Sequence, residues 1–365
     1  MRKILVIIFS TIISPLRAQD TTAVSLLFVG DIMQHESQMK SAYDPVAGTY
    51  TYSETFAVIK EILSTPDLTI GNLELTLGGK PYTGYPQFSA PDELLPALRD
   101  AGFDVLVTAN NHSMDRGRKG LERTIRLLDS IGMKHTGTFA DTVEYLNDYP
   151  LMLEAHGIKI ALLNYTYGTN GIAVRSPSIV NLIDTARITK DLHRAAQAGS
   201  DLSIVFFHWG DEYQQLPNEA QKRVAAFTLA HGAKMVIGSH PHVIQPMIWN
   251  QEAGQLVVYS LGNFISGQRP RYRNGGAMVH VDIEKVAAKL GAAETRVVNV
   301  DYSLSWVYRA SDTRRTFQLI PVTDGVDSAK VHGSVSRTLM KEFIDDSRAF
   351  LQRENINVKE RAKKK

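Results

Sequence analysis

The stretch Ser25-Leu26-Leu27-Phe28-Val29-Gly30-Asp31-Ile32-Met33 decides the fold. Residues 25–29 predict a strand whose residues 26–29 are apolar at successive positions, so both its faces are covered, as in a central parallel sheet. Gly30 ends the run and an acid follows at once. The same pattern recurs. Residues 67–71 run into Asn72-Leu73-Glu74, and residues 103–108 into Ala109-Asn110-Asn111-His112. Residues 201–207 close on His208-Trp209-Gly210-Asp211-Glu212, and residues 234–237 on Gly238-Ser239-His240-Pro241-His242.

The segments between these strands have helical spacing. Residues 54–63 stop before Pro66, residues 91–101 carry Pro in the first turn and Gly102 at the end, and residues 120–131 end at Gly132. Residues 184–198 and 218–231 are further helices. Apolar runs flanking Ala155-His156-Gly157 and Glu252-Ala253-Gly254 predict two hairpins. Residues 276–283, 297–307 and 316–321 read as strands, and residues 337–351 as a closing helix with Ser336 at its cap. Strands alternating with helices, then hairpins, predict an α/β fold with parallel pairing at its centre and antiparallel additions outside. Residues 23–285 form one domain, and residues 286–365 a C-terminal extension with strands, a terminal helix and a basic tail.

Composition excludes several classes. The chain has 365 residues, 44% hydrophobic and 21% charged, which is globular, and a net charge of +2, which excludes the basic balance of a nucleic-acid binder. The tail Lys359, Arg361, Lys363, Lys364, Lys365 reads as a solvated end. No cysteine is present, so disulfides and thiolate metal sites are ruled out. Met1-Arg2-Lys3, the apolar residues 4–13, Pro15 and Ala18 have the order of a secretory signal, placing the protein in the periplasm or cell envelope; a retained membrane anchor is the alternative.

In open α/β sheets ligands bind beyond the carboxyl ends of the strands, where these five clusters converge. The mixture suits divalent metals. Glu74 can bridge two ions about 3.5–4 Å apart. Asp31 adds an anionic oxygen, Asn111 a neutral one, and His208, His240 and His242 imidazole nitrogen. His240 and His242 are two apart, so an extended segment stiffened by Pro241 would point both the same way. His112 follows a ligand directly and is placed to protonate a leaving group. Singly, Asp31 or Asn111 reads as a cap or turn residue; together the clusters point to a metal site. Asn72, Asp115, Arg116, Asp211, Glu212 and Asn263 are candidates for orienting the ligands or meeting substrate, with Arg116 a possible phosphate binder. His35 reads equally as a site residue or a solvated loop residue. His135, His156, His193, His231, His280 and His332 read as structural or solvated.

Taken with Tyr259-Ser260-Leu261-Gly262-Asn263-Phe264, these clusters resemble the CapA family, named for poly-γ-glutamate capsule formation, which is similar to calcineurin-like metallophosphoesterases. The resemblance implies a four-layer α/β/β/α sandwich with mixed sheets. It implies Asp31 and His242 on a first metal, Asn111, His208 and His240 on a second, Glu74 on both, and His112 as the catalytic histidine. The ions it implies are Mn²⁺, Zn²⁺ or Fe, one or two per chain. Metallophosphoesterases usually place a histidine two residues after the first aspartate; here that position is Met33, whose thioether is a poor ligand for hard ions. Two functions follow. One is an exported metal-dependent hydrolase acting on a phosphoester or amide bond in envelope or capsule polymer metabolism. The other is a non-catalytic accessory protein that binds an anionic polymer such as poly-γ-glutamate beside membrane-associated capsule machinery.

Overall fold

The structure is a computed structural model describing residues 21–287, 293–310, 317–322 and 331–362. The expected signal segment lies outside these residues. The strand predicted from Ser25 is longer, Thr21–Ile32, and it sits mid-sheet. The order across that sheet is Phe317–Val322, Glu294–Arg309, Gly275–Val286, Thr21–Ile32, Leu68–Leu73, Val105–Val107 and Lys134–Thr136. Thr21–Ile32 pairs parallel with Leu68–Leu73 and antiparallel with Gly275–Val286. The second sheet runs Met247–Asn250, Gln255–Val258, Met235–Ser239, Leu202–His208, Ile158–Thr166 and Leu151–Ala155. Its centre is parallel and both its edges are antiparallel hairpin arms.

Side-chain parity explains the layers, because alternate residues of a strand face opposite sides. Leu26 and Phe28 share a core with Leu68 and Ile70 of the same sheet, and with Ile160, Leu162, Ile204, Phe206 and Ile237 of the other. This core lies between the two sheets. Leu27 and Val29 instead pack with Phe56, Leu63, Leu94 and Leu98 of the helices on one outer side. Leu163, Val205, Phe207 and Val236 pack with Ile188, Leu192 and Ala225 on the other. The result is the expected α/β/β/α sandwich with mixed sheets.

Local chemistry fixed most elements where the pattern put them. Asp184 caps the helix Thr185–Gln197 by accepting from the Arg187 N–H, and Asn218 caps Glu219–Ala230. Gly102, at φ 112, ends the helix Leu94–Ala101. Four expectations are corrected. The helix over residues 54–63 is two short pieces, Ser53–Phe56 and Lys60–Ser64. The helix expected from Pro91 begins at Leu94, because Pro91 and Asp92 close a tight turn through their carbonyls. Ser336 is not a cap: Gly333, at φ 87, turns the chain into a helix that starts at Ser334. The tail residues Lys359 and Glu360 form a short strand beside Asp301 and Tyr302, and Arg361 donates to Asp301 Oδ1 at 3.1 Å; Lys363, Lys364 and Lys365 lie outside the described residues.

Candidate metal centre

The inter-sheet row of each central strand becomes polar at its last residue. Leu68 and Ile70 are followed on that face by Asn72, Ile204 and Phe206 by His208, and Met235 and Ile237 by Ser239. Thr21–Ile32 needs a correction to join them. Unbroken alternation would put Asp31 on the helix side with Leu27 and Val29. A β-bulge at Gly30 shifts the register, so that Val29 opposes Gly71 but Asp31 opposes Asn72. Ile32 then takes the helix-facing place and Asp31 turns inward. Only glycine fits at the bulge, since a Cβ on Gly30 would collide with the Gly262 carbonyl.

Asp31, fully buried, accepts from Asn72 Nδ2 at 2.8 Å, and its Oδ2 lies 3.2 Å from His242 Nδ1. Burial pushes its pKa up, but the His242 and Asn72 contacts and the nearby imidazole charge prevail and hold it below the ordinary carboxylate value. Asn72 Nδ2 also lies 3.1 Å from both His208 Nδ1 and Ser239 Oγ. His208 Nε2 meets Asn111 Oδ1 at 2.8 Å and His240 Nδ1 at 3.1 Å. Burial first, and the neighbouring imidazoles second, lower His208 far below the usual histidine value, and burial chiefly drops His240 to about 3. Both are therefore neutral at pH 7, the form that ligates metal.

Glu74 sits at the centre. Its Oε1 is 3.6 Å from His208 Nε2, 3.8 Å from His242 Nε2 and 4.0 Å from His112 Nε2, too far for hydrogen bonds. Both its carboxylate oxygens are buried and have no hydrogen-bond partner among the described residues. Burial, reinforced by the charge of Asp31, raises its pKa well above normal. A bare buried carboxylate beside the neutral His208 and His240 rings and the acid of Asp31 is costly without a cation. Two groups could hold one: Glu74 with His208 and His240, and Asp31 with Glu74 and His242, the donor atoms of each lying within 4.8 Å of one another. The residues therefore fit divalent ions that share Glu74, with Asn111 Oδ1 beside the first group.

His240 and His242 reach different groups, which corrects the extended reading of that segment. Both have positive φ, 101° and 58°, so His240-Pro241-His242 is a tight turn that splays the rings, with centroids 6.0 Å apart. Non-glycine residues hold such backbone at a cost of roughly 1 kcal/mol or more each, the kind of strain that functional sites keep. His242 Nδ1 is also met by Asn263 Oδ1 at 3.1 Å. His112 Nδ1 lies 2.7 Å from Asp115 Oδ2, and its ring packs edge-on against Phe88.

Other candidates fall elsewhere. Gly210, at φ 90, turns the chain after His208, so Asp211 accepts from Asn218 Nδ2 and Glu212 pairs with the Tyr213 hydroxyl; neither touches His208. Arg116 starts the helix Gly117–Ser130, with its Cβ and Cγ packed near Gly78 and Gly120. Met33 is buried in the apolar cluster with Leu73, Phe264 and Ile265, away from ligand duty. His35 is half-buried at the border of the site: its Nδ1 accepts from the Gly267 N–H at 3.1 Å, its ring meets the same Phe88 that packs on His112, and His242 and His112 act on its charge. Of the histidines read as structural, His135 pairs with Asp129, His156 with Asp67, and His280 with Ser303.

The sequence reading missed the walls of the site. Tyr167 lies against His208 and His240, with centroids at 6.3 and 4.6 Å. Tyr213 lies 6.0 Å from His242, and Arg273 lies over Tyr213. Asn164 fastens the Asn110-Asn111-His112 loop by accepting from the Ala109 N–H at 2.7 Å. Asn164 was readable as a polar residue inside the apolar run of the strand Ile158–Thr166; the others come from loops with no period.

A family model described as bacterial capsule synthesis protein PGA_cap matches residues 25–268. The chain is 26% identical over 267 residues to the capsule biosynthesis protein CapA of Bacillus anthracis, covering 70% of this chain and 63% of that protein. It is 28% identical over 278 residues to the PGA biosynthesis protein CapA of Bacillus subtilis strain 168, covering 72% and 68%. The chain thus spans just under two thirds of the length of the first relative. Among solved structures, the NAD nucleotidase of Haemophilus influenzae aligns over 90% of this chain and 68% of its own, at 13% identity and a TM-score of 0.47. The family model covers every residue of the two ligand groups, and the chain belongs to the bacterial capsule synthesis protein family PGA_cap.

Proposed function

We propose that the chain is an exported, metal-dependent hydrolase that acts on a phosphoester or amide bond of an anionic envelope or capsule polymer. The observation that carries the reading is Glu74, a buried carboxylate that accepts no hydrogen bond from a donor group among the described residues and is shared by two histidine-bearing groups. Asp31, Glu74 and His242 would hold one divalent ion, and Glu74, Asn111, His208 and His240 the other. Such ions supply Lewis acidity toward a phosphoryl or carbonyl oxygen and a nucleophile at neutral pH. Asn72 orients Asp31 and His208 together, work that in metal sites is often worth 10–100-fold in affinity. Asp115 accepts from His112 Nδ1, which leaves His112 Nε2 facing the site, where as a donor it delivers a proton to the leaving oxygen or nitrogen. Tyr167 shields the His208 and His240 rings from water.

Export rests on the signal-like order of residues 1–18, and an anionic polymer as substrate on the family's capsule role. Metal-dependent release of product from phosphoester or amide substrates with Mn²⁺ or Zn²⁺, abolished in His112→Ala, is the expected result. A metal-loaded protein that cleaves neither class would sink the hydrolase.

The second reading is an accessory protein that binds the polymer without cleaving it, beside membrane-associated capsule machinery. It is favoured by Met33, whose place in the apolar core leaves the Asp31 group with three donors.

A further inference from the structure

We propose that Arg273, seated on Tyr213 beside His242, anchors a carboxylate of the substrate and makes the site selective for polycarboxylate chains. This rests on the reading of the site as one that acts on an anionic polymer, and it assigns the residue that recognises the charge.

The pair is built onto the site. Asn263 meets His242 with its Oδ1 and, at 2.8 Å, donates from Nδ2 to the Arg273 carbonyl. The Tyr213 N–H donates to the carbonyl of Pro241, between the two ligating histidines, at 2.8 Å. Tyr213 holds φ 68 to do so, a left-handed backbone that a non-glycine residue keeps only where its surroundings impose it. The Arg273 guanidinium carbon lies 3.2 Å from the centre of the Tyr213 ring, whose face attracts the cation and fixes it.

The guanidinium has no carboxylate or hydrogen-bond acceptor among the described residues. The contrast within one loop is direct. Arg271 is clamped by Asp346 through two hydrogen bonds of 2.7 Å. Glu212, the acid closest to Tyr213 in sequence, is engaged by the Tyr213 hydroxyl. A planar cation held beside a buried metal-type site, with its donors unengaged, is suited to grip a planar carboxylate in two places. A chain with a carboxylate on each unit can lay one group on Arg273 while a neighbouring unit reaches toward His242, against whose ring Tyr213 lies.

The test is isothermal titration of the full chain with a pentaglutamate peptide, in Mn²⁺ and again in EDTA, with cleavage read on the same samples. Binding should weaken roughly tenfold or more in Arg273→Gln, with Arg273→Lys recovering part of it and Arg271→Gln leaving it unchanged. Equal binding by native protein and Arg273→Gln, an equal loss in Arg271→Gln, or no binding by native protein overturns the proposal. Arg273-dependent binding without cleavage would support it while removing the amide-hydrolase reading; cleavage with Arg273-independent binding would do the reverse. Unchanged urea midpoints for the variants show that folding is not what is measured.

Discussion

His112 Nδ1 lies 2.7 Å from Asp115 Oδ2, and the same oxygen accepts from the Phe88 N–H at 2.7 Å. The imidazole is thus held at one nitrogen and presented at the other, with Nε2 4.0 Å from Glu74 Oε1. Asp115→Asn keeps the shape but replaces with an amide the carboxylate that holds His112 Nδ1. We expect metal content to stay the same and kcat to fall roughly a hundredfold, within the range for general acid catalysis. An unchanged kcat would remove His112 from proton delivery.

Once ionised, Glu74 destabilises the fold unless a cation is present. Its pKa is raised in the fold, chiefly by burial, so the folded chain binds its proton more tightly than the unfolded one. That advantage exists at low pH and is lost as pH rises through the folded value. In EDTA, Glu74→Leu should therefore be more stable than native protein by roughly 1–3 kcal/mol at pH 8, with a smaller gain at pH 5. Urea unfolding at both pH values measures it, and a less stable variant at pH 8 would show that the carboxylate has a partner.

The bulge at Gly30 aims Asp31. Gly30→Ala drives a Cβ into the Gly262 carbonyl, and the backbone must move. A loss of about 3 kcal/mol or more is expected from such overpacking, with weakened metal binding in whatever folds. Stability within 1 kcal/mol of native, roughly the size of a tolerated core change, would show that the bulge is not needed.

His280 is buried on the strand Gly275–Val286, far in sequence from the ligands, and burial lowers its pKa to about 3. Below pH 6.5 the unfolded chain takes up a proton that the folded imidazole refuses, so stability falls as pH drops toward that value. The slope is up to about 1.4 kcal/mol per pH unit. Between pH 6.5 and 5, metal-free His280→Gln should lose roughly 2 kcal/mol less than native protein. Parallel urea-derived curves for the two proteins would contradict this.

The ligands were legible because each ends an apolar run, and a buried strand announces its own end. The layers were not, since continuous apolar runs hide which face each residue takes; the alternation of Leu26 and Leu27 between two cores emerges only in the fold. Proximity in sequence misled at Glu212, where one glycine turns the chain away from His208. It misled again at His240 and His242, where positive φ replaces the extended backbone that Pro241 suggested. The helix Thr142–Asp148 was missed although Asp141 and Glu144 stand at the spacing of a capping box, and Asp141 accepts from the Val143 and Glu144 N–H groups. Tyr167, Tyr213 and Arg273 lie in loops where only the tertiary fold sets position.

The reading of the site as a two-ion centre depends on Glu74 being shared by both groups. Elemental analysis of the purified chain, dialysed against trace Mn²⁺ or Zn²⁺, tests this most directly. Two ions per chain are expected for the native protein and none for Glu74→Leu, since that one carboxylate belongs to both groups. Metal retained at native level in Glu74→Leu, or none bound by native protein, would contradict it.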